Sequence, residues 1–243
     1  MAIGTRDVSA SVTDQITQLI VERDLKPGDP MPTEFELCEQ MGVSRSSVRE
    51  AVRTLAALDI VDVRHGTGTF VGHLSLQPLV NSIALRSSIA PGEANASLRE
   101  IVEVRLALDL GFARTICASL QGKTHPELEG LVAEMAELSD RGESFAGQDR
   151  RFHRLLAQQS GNQLMTDLID AFWAVHTQML TNQGLPTPDD IRNTAQAHGA
   201  MLHAAQSGDV NAFRVAVSEH YAPLLAVLDR SEDEHLAKIE DAK

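Results

Sequence analysis

The stretch that decides the fold is Leu25–Val71, LKPGDPMPTEFELCEQMGVSRSSVREAVRTLAALDIVDVRHGTGTFV. Pro27, Gly28, Pro30 and Pro32 stop any helix that enters it. Thr33 then serves as an N-cap, with Glu36 three residues on as its capping-box partner. Phe35 or Leu37, with Cys38 and Met41, form the apolar positions of this helix, and Gly42 ends it. A second helix opens at the N-cap Ser44, where Val43 and Val48 are placed to close a hydrophobic staple. Its inner face is Val48, Ala51, Val52 and Leu55. Arg45, Ser46, Ser47 and Arg49, followed by Arg53, crowd the outer side. Two short helices across a tight turn, the second with Arg and Ser at its start, are what a helix-turn-helix needs. The start of the second helix enters the major groove, where arginine bridges two acceptors of guanine and hydroxyls hold phosphates. Ile60–Val63 and Thr69–Val71 alternate like strands around the tip RHGTG, which carries Arg64 and His65. That is a wing, able to reach the minor groove or the backbone. Helix-turn-helix shapes also occur in enzymes, and arginines on a helix are often a solvated face. The hairpin directly after the second helix favours DNA.

Upstream, residues 11–23 place Val12, Ile16, Leu19 and Ile20 on one helical stripe. The whole chain has 243 residues, 43% of them hydrophobic but only 4% aromatic, so its core is built of Leu, Val, Ala and Ile. Net charge is −13, and acidic residues outnumber basic ones both before and after residue 75. That argues against a basic nucleic-acid coat but does not exclude a local reading surface. Cys38 and Cys117 form no CxxC pair, which suits a reducing cytoplasm. No apolar run is long enough to cross a membrane, and MAIGTRDVSA is too polar for a signal peptide.

Downstream, the expected organisation is a DNA-binding domain over 1–75, a connector with a short helix over 76–96, a helical domain over 97–230 and a charged tail over 231–243. The connector breaks at Pro91–Gly92. The helical domain shows six long helical patterns and no persuasive strand, an antiparallel bundle. The fold class is therefore mainly α, a winged helix-turn-helix plus a helical bundle. In "DRRFHRLLAQQSGN", residues 149–162, Asp149, Phe152, His153 and Leu156 share a face, while Arg150, Arg151 and Arg154 point outward. His198 falls in line with Thr194, Leu202 and Ala205, and His220 with Phe213, Val217 and Leu224. Three histidines and an aspartate thus face inward from three helices. Each alone reads as a hydrogen-bonded core residue, and Asp149–His153 as an intrahelical pair. Together they are a ligand set for a divalent ion such as Zn²⁺, Mn²⁺ or Ni²⁺. Periodicity leaves both readings open.

Residues 25–71 resemble the winged-helix domain of the GntR family of bacterial transcription regulators, whose pattern runs from a PG turn through "VSRxxVREAL" to "GxGTFV". The resemblance implies a homodimer on palindromic double-stranded operator DNA, with contacts from Arg45, Ser47, Arg49, His65 and Gly66. Phe35 stands where the family usually carries arginine, so one family contact is absent here or the operator differs. The rest resembles the FCD ligand-sensing domain of the FadR-like branch. The order Asp149, His153, His198, Gly208–Asp209, His220, with steps of 4, 45 and 22 residues between the four ligand positions, matches its metal ligands. That implies a bound divalent metal, zinc first. It also implies a small organic-acid or sugar-acid effector, a regulator that is usually a repressor, and an effector clamp at Arg105. His176 and Asn193 are further candidates for the effector pocket. Arg105 could instead pair with Asp109, four residues on. The alternatives are a metal-dependent enzyme, for which Glu103 is the obvious spare carboxylate, and a DNA-binding protein with a purely structural metal. His125 and His203 read as surface residues.

Overall fold

The computed structural model describes residues 11–89, 94–183 and 188–240. The N-terminal ten residues, Pro91–Gly92 and residues 184–187 lie outside the described residues. Two compact units divide the chain at Pro78 and Leu79.

In the first unit, α1 is Val12–Glu22, α2 Glu34–Met41 and α3 Arg45–Ala57. Both caps expected around α2 and α3 form. Thr33 accepts from the Glu36 backbone while the Glu36 carboxylate takes the Thr33 N–H, and Ser44 accepts from Ser47 N. Gly42 ends α2 at φ +65°, a left-handed conformation that glycine adopts without strain. Leu37, not Phe35, is the core residue of α2: Leu37 is 1% exposed and Phe35 54%. Leu37 packs with Ile16, Val48, Leu55 and Val61 in one hydrophobic cluster. Strands β1, Val61–Arg64, and β2, Gly68–Val71, pair antiparallel with Val61 opposite Val71. Met31 N donates to Thr69 O at 2.8 Å, so the proline-rich stretch before α2 docks along β2.

The second unit is helical. α4 is Gln77–Ile89, α5 Ala94–Leu120, α6 Pro126–Asp140, α7 Ala146–Gln158, α8 Gln163–Gln183, α9 Pro188–Ser207 and α10 Val210–Glu240. α10 thus runs on through residues 231–240, which the sequence had set apart as a tail. α5, α9 and α10 pack on one another, and α6, α7 and α8 extend that arrangement. Its buried residues are chiefly aliphatic, with Phe152 and Phe213 fully buried among them. The outward arginines of α7 stitch it to its neighbours. Arg150 forks onto Asp170 of α8 at 2.7 and 3.0 Å, and Arg151 reaches Glu127 of α6 at 3.0 Å. With its hydrophilic side fixed in this way, α7 turns Phe152, His153, Leu156 and Ala157 inward.

Candidate metal centre and nucleic-acid interface

The helical unit brings Asp149, His153, His198 and His220 together: one ligand atom from each lies within 4.8 Å of all the others. His198 and His153 are 0% and 1% exposed, and His220 7%. The contacts run through one nitrogen of each ring. His198 Nε2 is 3.0 Å from Asp149 Oδ1, His153 Nε2 is 3.3 Å from the same oxygen, and His153 Nε2 is 3.1 Å from His220 Nε2. Phe152 stacks edge-on against His198 at 4.9 Å and against His153 at 5.7 Å, which keeps both rings from swinging away.

The electrostatics suit a cation. Burial alone would raise the Asp149 carboxyl, but the imidazoles of His153 and His198 against it outweigh that effect and hold the group well below the usual carboxylate range. Burial, and then the neighbouring His198 and His153, push His220 well below its usual value, so it is a neutral imidazole with a lone pair to give. Three imidazole nitrogens and one carboxylate oxygen are the donors of first-row divalent ions. Three of the donor separations, 3.0, 3.3 and 3.1 Å, match the roughly 3–3.5 Å between donors that sit about 2.0–2.2 Å from a shared ion. An ion bound here would be held by these four residues and would supply positive charge at the centre of the bundle.

Arg105, on α5, is 2% exposed. Its Nη1 donates to His176 Nδ1 on α8, which makes His176 the Nε2–H tautomer. Arg105 Nε and His176 Nε2 are then two buried donors with no hydrogen-bond partner. Burial, and then the Arg105 charge, push His176 down to about 3. The Arg105–Asp109 ion pair is not formed: among the described residues no carboxylate lies within 4.0 Å of the guanidinium, and Asp109 accepts from Tyr221 Oη at 2.8 Å instead. Tyr221, buried and beside Arg105 and Asp109, is pushed well above the usual phenol range, first by burial. Asn193 is exposed, and Glu103 is exposed with Arg99 at 3.9 Å. His203 is exposed as expected, but His125 is half-buried and caps α6 by accepting from Leu128 N at 3.3 Å.

Three residues around the centre were not singled out from the sequence as supports for it. Thr194 O accepts from His198 Nδ1 at 2.7 Å, and Asp109 Oδ2 lies 3.6 Å from His153 Nδ1. Tyr221 completes the group. The available signal was position: Thr194 is one turn before His198, Tyr221 follows His220, and Asp109 shares the inward face of Arg105.

In the first unit, Arg45 and Arg49 are exposed at the start of α3 and Ser47 is half-buried, its hydroxyl 2.9 Å from that of Ser44. Arg49 Nε donates to Glu34 Oε2 at 2.8 Å, an ion pair that links the start of α3 to the start of α2. His65 and Gly66 are exposed at the turn between β1 and β2, where Gly66 has φ +77° and Thr67 N donates to Arg64 O at 2.9 Å. The guanidinium of Arg64 lies 4.1 Å over the Phe70 ring and stiffens the hairpin behind this tip.

Comparison with known proteins bears on both units. Residues 8–71 match the bacterial regulatory proteins of the gntR family, and residues 100–223 match the FCD domain. The chain belongs to the gntR family of bacterial regulatory proteins. Like other gntR regulators it has relatives with names that describe operon control. A probable D-xylose utilization operon transcriptional repressor of Paenarthrobacter nicotinovorans is 27% identical, with 90% of this chain and 87% of that one covered. A putative L-lactate dehydrogenase operon regulatory protein of Escherichia coli (strain K12) is 26% identical, with 96% and 91% covered. Among solved structures, a Streptococcus agalactiae GntR superposes with a TM-score of 0.67 at 27% identity, over 88% of this chain and 96% of that one. As a gntR-family protein with an FCD domain, the chain is a DNA-binding transcriptional regulator and not an enzyme. No helix among the described residues is long and apolar enough to cross a membrane.

Proposed function

We propose that this gntR regulator belongs to the metal-binding, FadR-like branch and is a repressor whose operator affinity is set by a small carboxylate or sugar acid. The observation that carries this reading is Arg105. A fully buried guanidinium is expensive to desolvate unless an anion accompanies it. Here it has a neutral imidazole on one side and an unpartnered N–H on the other. Arg105 Nε is left to donate to a carboxylate, whose two oxygens a planar guanidinium matches, and His176 Nε2 is a further donor on the other side of the imidazole. Asp149, His153, His198 and His220 would hold an ion, Zn²⁺ first, with Mn²⁺ or Ni²⁺ suited to the same donors, and it would supply a second positive pole. Asn193, exposed on α9, has the weakest support of the effector contacts.

Residues 1–75 form the DNA-reading domain, 76–96 the connector and 97–230 the body of the sensor, with α10 running on into the charged residues that follow. Operator contact falls to Arg45, Ser47 and Arg49 in the major groove and to His65 and Gly66 at the wing. A homodimer presents two such heads to a palindromic operator. Effector binding favours one of two arrangements of the sensor and thereby releases DNA, a coupling that works equally in reverse.

The test is a thermal-shift screen of hydroxy acids, dicarboxylates and sugar acids on metal-loaded and metal-stripped protein, followed by operator-binding titrations with each hit. Elemental analysis identifies the ion. The expected result is stabilisation by an acid that disappears in Arg105→Ala and His153→Ala and weakens operator binding in the wild type. An acid that binds without changing operator affinity overturns the regulatory reading. A hit indifferent to metal removal leaves the ion structural.

A further inference from the structure

Each imidazole in the centre has two nitrogens with opposite duties. The one that faces the ion must be unprotonated, so the other carries the proton and needs an acceptor when buried. His198 meets this locally, through Nδ1 and the Thr194 carbonyl at 2.7 Å. His153 has no such carbonyl. Its Nε2 faces Asp149 and His220, and its buried Nδ1 has no hydrogen-bond partner among the described residues. The nearest carboxylate on that side is Asp109, with Oδ2 at 3.6 Å.

Asp109 is itself buried, 4% exposed, on α5. One turn earlier on the same helix is Arg105, and an i, i+4 pair of that kind would ordinarily close as an ion pair. Tyr221 prevents it. Its hydroxyl donates to Asp109 Oδ2 at 2.8 Å, while the Arg105 guanidinium lies 5.5 Å above its ring. The same carboxylate oxygen therefore meets both Tyr221 Oη and His153 Nδ1, and Arg105 is left to His176. Tyr221 is also the residue after His220, so α10 supplies one donor of the cluster directly and the support of another through Asp109.

We propose that Asp109, held by the Tyr221 hydroxyl, is a positioning residue that fixes His153 in its Nδ1–H form and so aims Nε2 into the four-donor cluster. The inference rests on the metal reading above. It gives Asp109 a task beyond satisfying Tyr221, because a carboxylate behind a ligand histidine raises the basicity of the ring as well as orienting it.

The experiment compares full-length wild type, Asp109→Ala, Asp109→Asn and Tyr221→Phe, all metal-stripped and checked for native circular dichroism. Zn²⁺ affinity is measured by competition with a chelating indicator. Long-range ¹H–¹⁵N spectra of the imidazoles report the His153 tautomer without any metal. Asp109→Ala should weaken Zn²⁺ binding by about 10–100-fold and shift His153 away from the Nδ1–H form. Asp109→Asn, which keeps an acceptor in place, should restore part of the loss. Tyr221→Phe, which keeps the carboxylate but frees it toward Arg105, should move both readouts in the same direction by a smaller factor. It carries the test if Asp109→Ala does not fold. Wild-type affinity and an unchanged tautomer in Asp109→Ala and Tyr221→Phe would overturn the proposal. Failure of wild-type protein to take up Zn²⁺ would overturn the metal reading instead, and the tautomer measurement would still decide what Asp109 does to His153.

Discussion

His176 is a histidine that folding keeps neutral. Its value falls from an ordinary 6.5 to about 3, because it is buried and faces the Arg105 charge. The sign of its linkage follows directly. Between these two values the unfolded chain binds a proton that the folded chain refuses, so the contribution to stability is intact above about pH 6.5 and is lost as pH falls toward 3. His176→Gln keeps an acceptor for Arg105 and removes the titration. In urea unfolding of metal-stripped protein from pH 7 to pH 5, the wild type should lose about 1.4 kcal/mol per pH unit more than the variant once below pH 6. Parallel pH profiles would mean that His176 titrates normally in the folded state. At this same scale the four clustered donors were legible in the sequence because each sits in phase with an apolar stripe on its own helix. Asp109 was not, because its partners Tyr221 and His153 come from other helices, and within its own helix Arg105 was the more obvious match.

At the scale of elements, the α2–turn–α3 unit was almost fully legible. Thr33, Gly42 and Ser44 act within four residues of themselves, so caps and turn follow from local chemistry. The ends of the long helices were less so. α10 continues to Glu240 through a charged run whose Glu, Lys, Leu and Ala residues favour helix, although its polarity resembles a tail. Phe35 shows how tertiary packing decides between two apolar candidates: Leu37 takes the core and leaves Phe35 outward, next in sequence to the Glu34 that holds Arg49. If α2 faces the operator, an outward phenylalanine in this place contributes no charge to the contact. Phe35→Arg should therefore tighten operator binding by roughly tenfold, and steepen the fall of log K with log salt by about one phosphate's worth of counterion release. Fluorescence anisotropy on an operator duplex across a salt series reads both. Unchanged affinity with an unchanged salt slope would place α2 away from the DNA.

At the scale of the whole molecule, the four donors come from α7, α9 and α10, whereas the DNA-reading unit has its own core of Ile16, Leu37, Val48 and Val61. The ion's contribution should be correspondingly local. A ligand that binds only the folded state adds about 4 kcal/mol when present at a thousand times its dissociation constant. Removing a bound ion would also leave buried imidazoles and a carboxylate without a common partner on these three helices. Hydrogen exchange on Zn²⁺-loaded and chelator-treated full-length protein separates the two units by peptide. Chelation should lower the opening free energy of amides in α7, α9 and the first half of α10 by up to about 4 kcal/mol, and leave those of α1, α2 and α3 unchanged. An equal loss of protection in both units would show that they unfold as one, and an absence of any change in α7 and α9 would remove the ion from the bundle altogether. The first pattern is also the one a sensor requires. On the function proposed above, the binding energy of an ion would be spent on the packing of three helices, where an acid at Arg105 would add to it or oppose it, and the stability of the DNA-reading fold would be left out of the exchange.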